Sequence, residues 1–171
     1  MEKIEIKSLV YGGAGVGHLD NGKTVFVDDV VDGEVVEAEV FSDKKQFSLA
    51  SLKNIISKSK YRIEPECKLS KVCGGCQWQH VEYEHQLDVK TRIVKDTLQK
   101  ALKKEIEVER TIASPDNMQY RCKVQMPVSQ TKNSKRILAG YFKKNSHELV
   151  NIKYCPIQPD IIGEICEYLK D

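Results

Sequence analysis

The chain contains no long apolar run, no export signal, no internal repeat and no low-complexity tract. A membrane-spanning helix needs about 20 predominantly apolar residues, so the first absence excludes a helical membrane protein. Met1–Leu9 alternates charged and apolar residues instead of leading a basic stretch into an apolar one, which is not the pattern of a secretory leader. Without a leader, the six cysteines read as reduced thiols of a cytoplasmic protein and not as a secreted disulfide scaffold. A second C-x2-C knuckle of the kind that closes a zinc ribbon is also missing.

What the chain does have is a cysteine block. Cys67, Cys73 and Cys76 stand as C-x5-C-x2-C, with Gly74 and Gly75 in the short gap, and Cys155 follows at a distance. Backbone without Cβ atoms turns tightly around a bulky inorganic core and aims its N–H groups at sulfur. Thiolate ligands suit an iron–sulfur cluster or a structural zinc. The residues alone leave open a [4Fe–4S] cluster, a zinc ion, or unligated core thiols.

The 171 residues, 40% apolar, suffice for one ordinary domain or two small ones with a packed core. The net charge of +2 hides an asymmetry: residues 1–57 carry six basic and ten acidic side chains, residues 58–171 twenty-one and fifteen. Attraction to a phosphate backbone therefore belongs to the second part.

Residues 1–57 read as short strands joined by tight turns. Glu2–Val10, Lys23–Val27, Glu34–Phe41 and Gln46–Ile56 have strand composition or alternation, separated by Gly12-Gly13, Asn21-Gly22 and Asp32-Gly33. That spacing predicts a small β-barrel of OB-like size. Residues 58–171 read as strands and helices around the cysteines. Val81–Leu102 is helical, with Leu87, Val94, Leu98 and Ala101 on one stripe. Val108–Ile112 and the strictly alternating Tyr120–Val128 are predicted strands, Ile137–Phe142 with Leu149–Ile152 a hairpin, and Asp160–Leu169 a final helix. The fold class is α+β, mainly β: a barrel, then a part-domain of antiparallel strands and helices.

Two motifs mislead. Gly17-His18-Leu19-Asp20-Asn21-Gly22-Lys23-Thr24 matches the P-loop pattern, and Gly13-Ala14-Gly15-Val16-Gly17 imitates a cofactor loop. Both sites need a helix behind the glycines. Here Thr24 runs into the strand Val25-Phe26-Val27, so both are turn chemistry.

Taken together, Tyr11-Gly12-Gly13-Ala14-Gly15-Val16-Gly17, Val25-Phe26-Val27 and Gly33-Glu34 resemble the TRAM domain, an RNA-associated β-barrel. The run from Cys67 to His80 with Tyr83, Gln86-Leu87 and Lys90 is similar to the RNA (uracil-5-)-methyltransferase family, of the 23S rRNA type with an iron–sulfur cluster. Tyr120-Arg121 with Lys123, and Cys155 with Gln158, match its later landmarks. The resemblance implies that Cys67, Cys73, Cys76 and Cys155 hold a [4Fe–4S] cluster. It implies a methyl transfer from S-adenosylmethionine to carbon 5 of a uracil, after a cysteine adds to carbon 6 and before a carboxylate removes the carbon-5 proton. It implies an RNA partner, rRNA or tRNA.

The chain departs from that family in its length. No strand–glycine loop–helix site for the methyl donor is present, so the catalytic domain and the S-adenosylmethionine site are expected outside this chain, which alone should not methylate RNA. The missing domain is expected to pack on helix 81–102. Cys122 and Cys166 read as core thiols. Arg121 and Lys123, with Lys58, Lys60 and Arg62, are the expected RNA contacts. Lys68 and Lys71 flank the cysteines, while Tyr61 and Trp78 offer stacking faces. The expected function is the N-terminal RNA-recognition portion of a methyltransferase. The alternatives are a free-standing iron–sulfur RNA-binding module and a zinc-stabilised interaction domain.

Overall fold

Apolar alternation in the first 57 residues folds as its period demands. The computed structural model describes residues 1–170, and among them nine strands and two helices occur. The first sheet comprises β1 (Glu2–Glu5), β2 (Ser8–Leu9), β3 (Gly15–His18), β4 (Thr24–Val27), β5 (Val35–Asp43) and β6 (Phe47–Ser57), in the order β1-β5-β6-β4-β3-β2. All pairings are antiparallel except β4 with β6.

Closure comes from one segment serving both edges. Glu2–Glu5 pairs with β5, the N–H of Ile6 reaches the Glu34 carbonyl, and the N–H of Lys7 then switches to Val16 before Ser8–Leu9 pairs with β3. A closed sheet leaves no edge for stray pairing. Ile4, Ile6, Val25, Val27, Val30, Val36, Ala38 and Ala50 fill the interior. The glycine-rich run is explained by this packing. A Cβ on Gly15 would lie 2.3 Å from Val30 Cγ2, and one on Gly17 would lie 2.4 Å from Ile4 Cγ2. Asn21-Gly22 is the β3–β4 turn, with Gly22 at φ +80° and the Asn21 side chain accepting from the Lys23 N–H.

The Glu34 carboxylate is fully buried and fully used. It accepts from the Val31 N–H at 2.9 Å, from the Ser59 N–H, and from Arg62 through both Nε and Nη2. Arg62 Nη2 also donates to the Asp29 carbonyl at 2.8 Å. A charge removed from water survives only with such pairing, and this pair ties the chain after β6 to the turn before β5.

Helix α1 (Tyr83–Leu102) buries His85, Leu87 and Val89 and ends at Lys103 in the left-handed conformation. The remainder of the predicted stripe emerges: Val94, Leu98 and Ala101 are exposed, as is the neighbouring Leu102. The predicted strand Val108–Ile112 is not one. The segment is irregular and held along α1 by side chains, Arg110 to Glu84 and Asp88 at 2.8 Å each and the Thr111 N–H to Thr91 Oγ1. Those bonds replace a sheet ladder.

By compactness the chain divides into Met1–Glu64 with His80–Ala113, and Pro65–Gln79 with the residues from Ser114 onward. Strand β6 ends at Ser57, and α1 lies in the same compact unit as the first sheet. The second unit holds a meander of β7 (Val128–Gln130), β8 (Ile137–Phe142) and β9 (Leu149–Asn151), then α2 (Asp160–Tyr168). The β8–β9 hairpin and α2 stand where predicted. The predicted strand Tyr120–Val128 shrinks to Val128–Gln130, because the N–H groups of Gln119 and Arg121 bind the carbonyls of Pro156 and Ile157, an irregular segment, and not a strand ladder. Among the described residues no helix is long and apolar enough to cross a membrane.

Candidate metal centre

The block Cys67–Cys76 is a loop wound back on itself. The Ser70 N–H binds the Cys67 carbonyl, and the N–H groups of Val72 and Cys73 both bind that of Leu69. Its far end is fastened to the hairpin: Cys73 forms a bridge with Lys143, and the Gly74 N–H donates to Phe142 at 2.9 Å. A Cβ on Gly74 would sit 3.0 Å from that same carbonyl oxygen, which is the tight approach that glycine permits. The Gly75 N–H points at Cys73 Sγ, 3.4 Å away. Gln79 spans the loop, accepting from the Cys67 N–H at 3.2 Å and donating to Cys76 Sγ at 3.3 Å. Strand β9 then leads the chain to Cys155.

All four cysteines line one cavity, with Leu69, Ile152, Ile157, Tyr141 and Tyr154 among its other walls and about 350 Å³ of atom-free space, its open mouth included. Cys73 is buried, the other three half-buried. Burial pushes the Cys76 thiol up, with Cys73 and Cys67 adding to the rise, while the Gln79 hydrogen bond and the Arg121 charge oppose it. Burial likewise raises Cys155, opposed by the Ile157 backbone, and the other three sulfurs push the same way as burial. Cys155 thus feels all three of the other sulfurs, and Cys76 feels two of them. Among the described residues, no three His, Cys, Asp or Glu side chains are grouped to hold a single metal ion.

The structure sorts the remaining expectations. Cys122 is exposed, not a core thiol, because its segment has no sheet to face. Cys166 is half-buried on α2, with its Sγ 3.4 Å from Met126 Sδ. Among the expected RNA contacts, Lys58, Lys60 and Lys123 are exposed, as are Lys68 and Lys71. Arg62 is half-buried, its Nε and Nη2 donating to Glu34 and to the Asp29 carbonyl. Tyr61 is not an open stacking face. It stacks on His85 at 3.7 Å and 5°, with Lys60 Nζ 4.8 Å from its centroid. His85 in turn meets Asp32 at 2.7 Å, which also binds Arg92. Trp78 is half-buried and does not line the thiol cavity. Arg121 is half-buried, its Cζ 5.3 Å from the Tyr141 ring centroid. Tyr141 itself escaped sequence reasoning, being one aromatic residue of an ordinary strand.

Comparison with known proteins bears on the barrel and on the chain as a whole. Residues 3–53 match the TRAM domain, which defines the barrel. The whole chain, moreover, is similar to part of several RNA methyltransferases. It is 40% identical to an uncharacterized RNA methyltransferase of Clostridium acetobutylicum over 92% of its own length and 34% of the relative's. With a Synechocystis relative of the same description it shares 36% identity over 98% of the chain and 36% of the relative. With one from Thermotoga maritima it shares 33% over all of the chain and 37% of the relative. The chain therefore spans about a third of the curated relatives it matches. The fold is similar to the crystal structure of Pyrococcus abyssi tRNA (uracil-54, C5)-methyltransferase in complex with S-adenosyl-L-homocysteine. The TM-score is 0.65 at 24% identity, covering 99% of this chain and 36% of that one.

Proposed function

We propose that this chain is the RNA-recognition portion of an S-adenosylmethionine-dependent RNA uracil-5 methyltransferase, and that Cys67, Cys73, Cys76 and Cys155 hold a [4Fe–4S] cluster. One observation carries the reading. Four thiols from two distant stretches of a chain related to RNA methyltransferases converge on one cavity with apolar walls and N–H donors aimed at sulfur. The donor set fits the group: thiolates alone, hydrogen bonds to two of the sulfurs, and space among them. When bound, such a cluster supplies thiolate-held iron that fastens the loop to the hairpin. The chain's own residues shape the loop, exclude water and donate to the sulfurs.

RNA contact falls to Lys123 and Arg121 in the second unit, with Lys68 and Lys71 beside the cysteines, and to Lys58 and Lys60 in the first. Phosphate contacts spread over such a set give a salt-dependent affinity. The exposed stripe Val94, Leu98 and Leu102 on α1 supports packing of a catalytic domain there. In that arrangement the S-adenosylmethionine site and the catalytic cysteine lie in the remainder of a longer protein.

The test is the iron, acid-labile sulfide and zinc content per chain after anaerobic purification, wild type beside Cys155→Ala. Equal iron and sulfide, lost in the variant, is the expected result. Stoichiometric zinc without sulfide overturns the cluster and favours a zinc-stabilised interaction domain. Titration of the intact chain with uracil-containing rRNA and tRNA fragments checks the partner. Binding that weakens steeply with salt is expected, and no binding at low salt overturns the recognition role.

A further inference from the structure

Tyr141 is shared by two features of the second unit. Its ring lines the thiol cavity, and the Arg121 guanidinium lies over that ring, Cζ 5.3 Å from the centroid. That distance is inside the ~6 Å reach of a cation–π contact. The Tyr141 hydroxyl accepts from Nε2 of Gln158, a nearly fully buried side chain whose own backbone N–H donates to the Cys155 carbonyl at 3.1 Å. Arg121 is fixed from the other side by its backbone. Its N–H donates to Ile157 at 2.9 Å, and the N–H of Gln119, at φ 54°, donates to Pro156 at 3.0 Å. The segment that carries Cys155 therefore holds both the ring and the cation stacked on it.

Four cysteines bind metal as thiolates, so the cavity gathers negative charge among apolar walls. Uncompensated charge there is costly. Arg121, over the ring that forms one wall of the thiol cavity, is a cation the geometry brings to that wall. Guanidinium stays charged in any protein environment and stacks flat on an aromatic face, which ammonium does not.

We propose that Arg121 is a positioning residue of the thiolate centre: stacked on Tyr141, it supplies the positive charge that offsets Cys67, Cys73, Cys76 and Cys155 when they hold metal. This rests on reading the four cysteines as ligands and goes beyond it. A side chain first read as an RNA contact acquires a role in retaining the centre and setting its potential.

The experiment compares the anaerobically purified wild-type chain with Arg121→Gln, Arg121→Lys and Tyr141→Leu. Iron and sulfide content, the rate of iron release to a chelator, and the reduction potential of the centre are measured for each. Arg121→Gln should release iron about 10- to 100-fold faster, the usual effect of losing an outer-shell partner. Its potential should fall, because removing a nearby positive charge favours the oxidised state. Arg121→Lys should recover the potential but only part of the retention, keeping the charge and losing the stack. Tyr141→Leu, which also keeps the charge and removes the ring beneath it, should follow Arg121→Lys. Equal potentials and release rates in wild type and Arg121→Gln overturn the proposal. If Arg121→Gln does not fold, wild-type values in both Arg121→Lys and Tyr141→Leu overturn it instead. A wild-type chain without iron and sulfide overturns the ligand reading beneath it, a separate and recognisable failure.

Discussion

The barrel and the cysteine-bearing unit solve the problem of a small core differently. In the barrel, Ile4, Val25, Val27, Val30 and Val36 have no exposure at all, and a paired carboxylate is sealed in with them. In the second unit the buried apolar set shrinks to Ala139, Val150, Ile152 and Ile157 beside Cys73, and α2 buries no residue. Ile161, Ile165, Tyr168 and Leu169 on or beside that helix are exposed. The first unit is held by what its own side chains exclude from water. The second surrounds a cavity with thiols, and in the proposed reading a cluster held there would do the work of a core, as metals do in small domains.

The largest effect that could break this contrast is removal of the proposed centre. Chelation of the anaerobic protein, or Cys73→Ser, should abolish amide-exchange protection in β7–β9 while β1–β6 keep theirs. Equal loss in both units would show that the barrel leans on the centre too. Next comes the buried pair. Arg62→Ala strands the Glu34 carboxylate without its charge partner and should cost about 3–5 kcal/mol of barrel stability, the usual penalty for breaking such a pair. Urea unfolding followed by barrel amides would report it, with iron content unchanged. Gly17→Ala forces a Cβ against Ile4 and the Glu5 carbonyl, and overpacking of this kind costs about 1–3 kcal/mol. Thermal unfolding measures that.

The smallest effect is electrostatic. Hydrogen bonding to Lys53 holds Glu39 below the usual carboxylate value, and hydrogen bonding to Lys23 does the same for Asp43. A carboxylate with a lowered folded pKa contributes stability above its unfolded value and loses it as pH falls through the folded one. Barrel stability should therefore decline slightly on acidification below the ordinary carboxylate range. Salt and Lys53→Ala should both flatten that slope, since both groups are solvent-exposed. A pH profile of unfolding in low and high salt checks the sign.

Sequence reasoning reached the barrel strands, the β8–β9 hairpin and both helices, because period and turn residues are local properties, and it named the four cysteines that line one cavity. It failed where a partner decides. Tyr120–Val128 has the alternation of a strand, but alternation describes two faces and not the neighbour that makes a ladder. Val108–Ile112 has strand composition, yet Arg110 finds carboxylates on α1 first. Arg62 looked like any cation near a basic connector. Only the fold brings it to Glu34, 28 positions earlier, and only the fold brings Lys60 and His85 to Tyr61.

The segment Glu2–Leu9 sets an order of events as well as a closed sheet. It precedes the rest of the barrel along the chain, yet its partners Val35–Ala38 follow some 30 residues later, and the sheet edge they belong to is complete only with β6. Until then its alternating isoleucines have no interior to enter. The barrel's slow step should be this late docking of its earliest residues, since distant pairings must meet the cost of loop closure before any contact returns it. A circular permutant that begins after Asn21-Gly22, and links the chain's own ends, would change when those residues become available and so change the folding rate more than the stability.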